Sequence, residues 1–421
     1  MSDRTETDRT INMVWRAEQA RVIAGLTRIV RDISLAEELA QDALMAALRA
    51  WPETGVPRNP GAWLMQAGKR KAIDYFRHRK MAAGKLAEIG RGLEEDAASD
   101  HEAAIHDQLD DDYGDDLLRL IFTSCHPILP PESRVALTLR LIGGLTTEEI
   151  ARAFLANDTA IGQRIVRAKR LIADAGLPFE VPRGPDRDER LASVLGVLYL
   201  IFNEGYSATS GEDWMRPQLC IEALRMARIL AGLVPEEPEV HGLVALMELQ
   251  HSRVGARIDA EGAPVLLPDQ DRMLWDRSLI RSGLDALARA QAMGGTAGPY
   301  MLQAAIAACH ARAETAGDTD WRQIATLYGL LNQITPSPVI ELNRAVAISM
   351  FQGPEAALKL VDALRTAPVM QNYHLLHGVR ADLLVKLGRH AEAAVEFRKA
   401  AELTRNSRER ALLLDRAAQC D

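Results

Sequence analysis

From residue 190 to the carboxyl end, each Ala/Leu-rich periodic stretch is cut short by proline or glycine. The breakers stand at Pro235–Pro238, Gly294-Gly295, Gly317-Asp318, Pro336–Pro338, Gly353-Pro354 and Gly388. Apolar residues at helical spacing between breakers so placed read as helix–turn–helix pairs. Composition points the same way. Aromatics are 5% of the chain, and Ala, Leu, Arg and Glu dominate, which favours helix formers over the β-branched and aromatic side chains of sheets. The expected fold class is all-α. At 421 residues the chain exceeds what one core organises, so two or more domains are expected, and 48% hydrophobic residues exclude wholesale disorder.

The formal net charge of −8 argues at first sight against a nucleic-acid partner, which usually selects a basic surface. Its distribution says otherwise. Between Arg58 and Lys80 seven cations face the single acid Asp74; from Gly84 to Asp116 twelve acids face only Lys85 and Arg91; from Ile161 to Ile172 the chain carries four cations and no acid. The acidic stretch alone exceeds the charge of the whole chain, and it lacks the apolar content to pack, so it reads as a flexible linker. A second boundary is GLPFEVPRGPDRDER, residues 176–190, where prolines and glycines break helices on both sides. The expected division is 10–82, an acidic linker 83–116, 117–176, a Pro/Gly linker 177–189, and a helical extension 190–421.

Three segments carry candidate chemistry. In SLAEELAQDALMAALRAW, capped by Ser34, residues Ala36, Ala40, Leu44, Ala47 and Trp51 form an inward face and Glu38, Gln41, Asp42 and Arg49 an outward one. Alone, this fits any amphipathic helix. In RNPGAWLMQAGKRKAIDYFRHRK, Pro60 and Gly61 open a helix with Trp63, Ala67, Ile73 and Phe76 inward. Lys69, Arg70, Arg77 and Arg79 lie outward, with Tyr75 and His78 interleaved. Cations beside rings suit an unstacked nucleic-acid strand; a basic solubilising helix end has the same composition. In LTTEEIARAFLANDTAIGQRIVRAKRLI, Thr146 and Glu149 form a capping box, Asp158 caps a second helix, and Ala151 stands ten residues before the apolar Ile161. That is helix-turn-helix spacing. The second helix would enter a major groove with Asn157, Thr159, Gln163 and Arg164 reaching bases or phosphates.

Together and in this order, the three segments resemble the extracytoplasmic-function sigma factors of bacterial RNA polymerase. AEELAQDALMAALRAW is similar to their region 2.2 helix, which implies a core-polymerase contact on the β′ clamp helices through Glu38, Gln41 and Asp42. NPGAWLMQAGKRKAIDYFRHRK is similar to their −10 reading helix, which implies DNA contacts from Lys69, Arg70, Asp74, Arg77 and Arg79. LPPESRVALTLRLIGGLTTEEIARAF and the helix after it resemble region 4, which implies −35 contacts from Asn157, Thr159, Gln163, Arg164 and Arg167, and a contact with the β flap. Residues 10–82 and 117–176 would then be sigma region 2 and region 4 domains. The acidic linker either lies in a cation-lined polymerase channel as a nucleic-acid mimic or is a solvated tether.

VLYLIFNEGYSAT, DQDRMLWD and SPVIELNRAVA resemble the sigma-factor group that carries a helical repeat extension. The segment Tyr373 to Asn406 has the length and LG pattern of a tetratricopeptide repeat, with a weaker echo from Glu341. The resemblance implies that this α-solenoid-like extension takes part in controlling activity, contacting the sigma domains, the polymerase or another protein. Two departures stand out. Arg70 replaces the usual Asn of the family motif, so that Asn's contact does not carry over. The common second-helix sequence G-T-V-K-S-R becomes Thr159, Ala160, Ile161, Gly162, Gln163, Arg164, and Leu155 stands where a glycine is usual.

The expected function is therefore a promoter-specificity sigma factor, not an enzyme, with no cofactor, no catalytic residue and no metal ligand. A one-component helix-turn-helix regulator with a helical sensor, or a repeat scaffold, are the competing readings. Cys125, Cys220, Cys309 and Cys420 are far apart and form no zinc pattern. They read as thiols of a reducing cytoplasm. No apolar run reaches the ~20 residues of a membrane span. Asp269 and Asp271 begin like a calcium loop but lack its glycine and closing glutamate, so they read as helix capping of the segment at Met273–Trp275. His241, His251, His374 and His377 read as core or surface residues, and Gly205 as a helix C-cap.

Overall fold

Several prolines that interrupt the periodicity open helices rather than end them. Pro217, Pro238, Pro299, Pro338 and Pro354 each stand in the first turn of a helix, where the missing N–H costs nothing and the fixed φ is already helical. The computed structural model describes residues 2–89, 113–154, 156–208, 212–259, 263–294 and 297–420. Most of the expected acidic linker, and Leu155 of the helix-turn-helix, lie outside them. Among the described residues the fold is all-α, with an isolated bridge between Ile258 and Pro264. The chain divides into two units, Met1–Val197 and Leu198–Asp421.

In the first unit α1 (Ser2–Val30), α2 (Ile33–Thr54) and α3 (Pro60–Ile89) pack on one another. Their core includes Val22, Leu26, Ala36, Ala40 and Trp51. Asp32, not Ser34, caps α2, its carboxylate accepting from the Ser34 and Leu35 N–H groups at 2.7 and 3.1 Å. The inward stripe of α3 is Leu64, Met65, Gly68 and Ala72; Trp63, Ala67, Ile73 and Phe76, read as inward, are half-buried beside it. Trp63 sits at the rim because its ring meets the buried Trp51 edge-on, with centroids 5.3 Å apart.

Then follow α4 (Tyr113–Ser124), α5 (Pro131–Leu141), α6 (Thr147–Ala153) and α7 (Asp158–Asp174), with Leu120, Phe122, Leu137, Leu139, Ile161 and Ile165 buried. Helix α8 (Pro185–Tyr206) begins inside the stretch read as a Pro/Gly linker. Its residues through Val197 belong to this unit. There Arg190 donates to the Phe122 carbonyl at 3.2 Å, and the Ser193 hydroxyl donates to that of Cys125 at 2.7 Å.

The second unit runs through α9 (Pro217–Leu233), α10 (Pro238–His251), α11 (Arg277–Ala292), α12 (Pro299–Arg312), α13 (Trp321–Ile334), α14 (Pro338–Gln352), α15 (Pro354–Leu364), α16 (His374–Lys386), α17 (His390–Leu403) and α18 (Ser407–Ala418). Helix α10 is its centre, buried all round from Val240 to Leu249. The pair α16 and α17 is the tetratricopeptide-like unit, packed around Leu376, Leu384, Phe397 and Ala400. Gly388 supplies its turn at φ +72°, a conformation that favours glycine. The buried Asn406 caps α18 and also donates to the carbonyls of Ala208 and Asp213 at 3.2 and 2.8 Å. The end of the array thus returns to its start.

Two readings change in this unit. Gly205 lies inside a helix rather than capping one. A Cβ there would stand 2.7 Å from the Cys220 nitrogen and 2.8 Å from the Leu219 Cβ, so close packing, not a turn, selects the glycine. His374 and His377 have carboxylate partners that spacing did not reveal, Glu409 at 3.1 Å and Glu396 at 2.6 Å. Asp271 caps Met273 as expected, at 2.9 Å.

Candidate nucleic-acid and polymerase interface

The outward face of α2 carries Glu38, Gln41 and Asp42, all exposed, at the i, i+3, i+4 spacing that stacks side chains on one side of a helix. Asp42 faces Lys71 of α3 at 3.8 Å, with both side chains about half exposed. Such a pair contributes roughly 0–1 kcal/mol. Helix α3 is started by Asn59, whose side-chain oxygen accepts from the Ala62 N–H at 3.1 Å. Along it Arg70, Asp74, Tyr75, Arg77 and Arg79 are exposed and Lys69 is half-buried. The Tyr75 and His78 rings are exposed on this face, and Phe76 meets Tyr75 edge-on at 5.7 Å. A strip of cations with accessible rings can hold phosphates and stack a base.

The helix-turn-helix is built as its spacing implies. Thr146 and Glu149 cap α6 reciprocally, at 2.8 and 3.1 Å, and Ala151 and Ile161 are both buried at the crossing. The α7 cap is Asn157, not Asp158: its side-chain oxygen accepts from the Thr159 N–H at 2.8 Å. Beyond it Thr159, Gln163 and Arg167 are exposed on the outer face, while Arg164 is half-buried and paired with Glu132 at 2.9 Å.

Sequence reasoning missed Glu37. It sits on the inward stripe of α2 with Ala36 and Ala40, and it is 8% exposed. One carboxylate oxygen accepts from the Arg140 Nε at 2.7 Å, and the other pairs with Lys169 of α7. Arg140 also donates to the Leu145 carbonyl at 3.3 Å. Burial pushes the Glu37 carboxyl up, but Lys169 and Arg140 outweigh it and hold the group below its ordinary value. An acid on an apolar stripe signals a hidden cation; spacing could not say which. Arg16 reaches Glu149 at 2.5 Å, and Arg28 reaches the buried Asp116 at 3.1 Å. Residues 10–82 and 117–176 therefore share one unit through charge pairs as well as packing. Beside this junction lies a cleft of about 650 Å³ whose walls include Gln41, Met45 and Thr146.

No group of three or more metal-ligating side chains is present among the described residues, and no helix there is long and apolar enough to cross a membrane.

Residues 14–81 match sigma-70 region 2, residues 119–172 match sigma-70 region 4, and residues 190–291 match a family of unknown function (DUF6596). An uncharacterized protein of Rhizobium meliloti is 46% identical over 96% of this chain and 94% of its own length. The ECF RNA polymerase sigma factor SigK of Mycolicibacterium vanbaalenii is 30% identical over 36% of this chain and 76% of its own. The probable ECF RNA polymerase sigma factor SigI of Mycobacterium tuberculosis is 27% identical over 41% of this chain, which spans 57% of that relative.

Proposed function

The chain belongs to the extracytoplasmic-function sigma factors of RNA polymerase, and from that premise we propose how its surfaces divide the work. The polar face of α2, with Glu38, Gln41 and Asp42, docks on the β′ clamp helices of core polymerase. The face of α3 with Lys69, Arg70, Asp74, Arg77 and Arg79 holds the −10 element as a single strand, with Tyr75 as the stacking ring. Helix α7 reads the −35 element through Thr159, Gln163, Arg164 and Arg167, with Asn157 fixing the helix start rather than a base, and the same domain meets the β flap. The observation that carries this reading is the joint exposure, in one chain, of a cationic strip on α3 and an outward polar face on a capped α7.

No bond chemistry is required. Unstacking costs a few kcal/mol per base step, which phosphate contacts and stacking offset, and one good bidentate base contact contributes about 1–3 kcal/mol of discrimination. Lys169 belongs to the reading helix while its charge is tied to Glu37, so the ion triad competes with any separation of the two sigma domains on a promoter. The acidic stretch between α3 and α4 tethers them once apart. The second unit controls that step by contacting the sigma domains, the polymerase or another protein.

The test is transcription by core polymerase from genomic templates with the purified chain added. Promoter-dependent transcripts are expected, lost when Arg164 and Arg167 are both changed to Ala. Sequence-specific duplex binding without polymerase, and no transcript with it, would favour the one-component regulator. Truncation after Arg183, with folding checked, reads the sign of control by the extension.

A further inference from the structure

The second unit carries an open cavity of about 430 Å³ whose lining includes Tyr199, Arg253, Gln303, His310, Tyr328 and Asn343. The volume suits a small molecule. Its polar groups divide into two sets. Tyr199 donates to Gln303 at 2.8 Å and Gln303 to the Pro299 carbonyl at 3.1 Å, so these are held by the protein. The other set is the half-buried Tyr328 and His310 and the exposed Asn343.

One arginine, Arg253, lines the cavity; Arg257 shares its contact with the Tyr206 ring, and Arg272 bonds to the backbone of the lining residue His310. Arg253 donates to the Tyr206 hydroxyl at 2.6 Å, and Arg257 lies 3.5 Å from the centre of that same ring. Arg272 stacks on Trp275 at 4.5 Å and donates to the His310 and Ala313 carbonyls at 2.6 and 2.8 Å. Among the described residues none of the three comes within ion-pair distance of a carboxylate; Asp318 acts on Arg272 from farther away, and Arg253 has no such partner. A guanidinium normally enters protein with a carboxylate or phosphate because a desolvated charge without one is costly. Burial, with Arg253 and Arg272 adding, lowers the His310 imidazole to about 4, so it is neutral at pH 7 and is a polar group rather than a fourth cation.

We propose that this cavity binds a small organic anion, a carboxylate or a phosphate ester, whose charge pairs with Arg253 and whose polar body is held by Tyr328 and Asn343. The missing counter-charge is the ligand's. All three arginines fall in the stretch 190–291 that matches a family of unknown function, so the proposal gives that stretch a role of its own. It stands whether or not the sigma-factor reading does.

The full chain is titrated by calorimetry and thermal shift with citrate, succinate and glycerol 3-phosphate, with glycerol as the neutral control and no phosphate in the buffer. At least one anion is expected to bind saturably at one site and raise the Tm while glycerol does neither; which anion binds separates carboxylate from phosphate ester. Arg253→Gln should weaken that binding tenfold or more, and Tyr328→Phe, which removes one hydroxyl, about threefold. Arg281→Gln, at an exposed cation of α11, should leave it unchanged. If Arg253→Gln does not fold, Tyr328→Phe decides. Binding by none of the three anions, or equal binding by the folded variants, overturns the proposal.

Discussion

Each unit buries a glutamate braced by two basic side chains, and the two triads differ in what they join. Glu37 takes Arg140 and Lys169 from 103 and 132 residues away, in the other sigma domain. Glu396 takes Arg380 and His377 from 16 and 19 residues away, on the preceding helix of the same hairpin, at 2.9 and 2.6 Å. In both, burial raises the carboxyl and its partners bring it below the ordinary value. The physics is the same and the consequence is not. A local triad fixes the geometry of a hairpin that would form anyway, whereas a distant one holds together two modules whose proposed work requires them to part.

The largest expected effect breaks the first triad. Glu37→Gln leaves Arg140 and Lys169 without their counter-charge, and should cost the first unit about 3 kcal/mol while the second unit is unmoved. Amide exchange resolved along the chain reads both at once. The same change at Glu396 should cost about 1–2 kcal/mol, confined to α16 and α17, because Arg380 keeps Asp362 at 2.8 Å. Equal costs would show that sequence distance is irrelevant to how these triads work.

Acid sharpens the comparison next. Both carboxyls titrate below their unfolded value of about 4.5, so the stability they contribute is fully present above that value and is lost as pH falls through the depressed ones. The first unit should loosen over that window in the parent protein and show a flatter profile in Glu37→Gln. A rise in its stability on acidification would contradict the charge assignment.

The smallest effects come from two glycines. Gly388→Ala forces a side chain into positive φ at the hairpin turn and should cost about 1 kcal/mol in the second unit. Gly162→Ala should stabilise the first unit by roughly 0.5–1 kcal/mol, since a Cβ there meets only the Thr147 methyl at 3.8 Å. Loss of promoter-specific transcription in that stabilised variant would assign Gly162 to DNA approach rather than to packing.

What could be read from sequence follows the range of the interaction. The capping box at Thr146 and Glu149, the buried pair Ala151 and Ile161, and the hairpin around Gly388 all depend on neighbours within a turn or two, and each is where its spacing put it. The outward set Glu38, Gln41 and Asp42 followed from helical periodicity alone. The inward face of α3 missed by a residue, because the packing of α1 and α2, not the positions of the aromatics, decides which stripe is covered. The cap of α7 falls to Asn157 rather than Asp158, because the Asn157 oxygen is the one within reach of the first-turn Thr159 N–H.

By itself the sequence determined an all-α chain, the order of its helices, the family, and the faces that hold cations, because periodicity, caps and charge runs are written in adjacent residues. Only the tertiary structure decided that Glu37 meets Lys169, that Asn406 closes the extension on its first loop, and that Arg253 lines a cavity with Arg257 and Arg272 close behind it. Those pairings join residues whose separation along the chain carries no signal, and a buried charge is satisfied by whichever group the packing brings within reach.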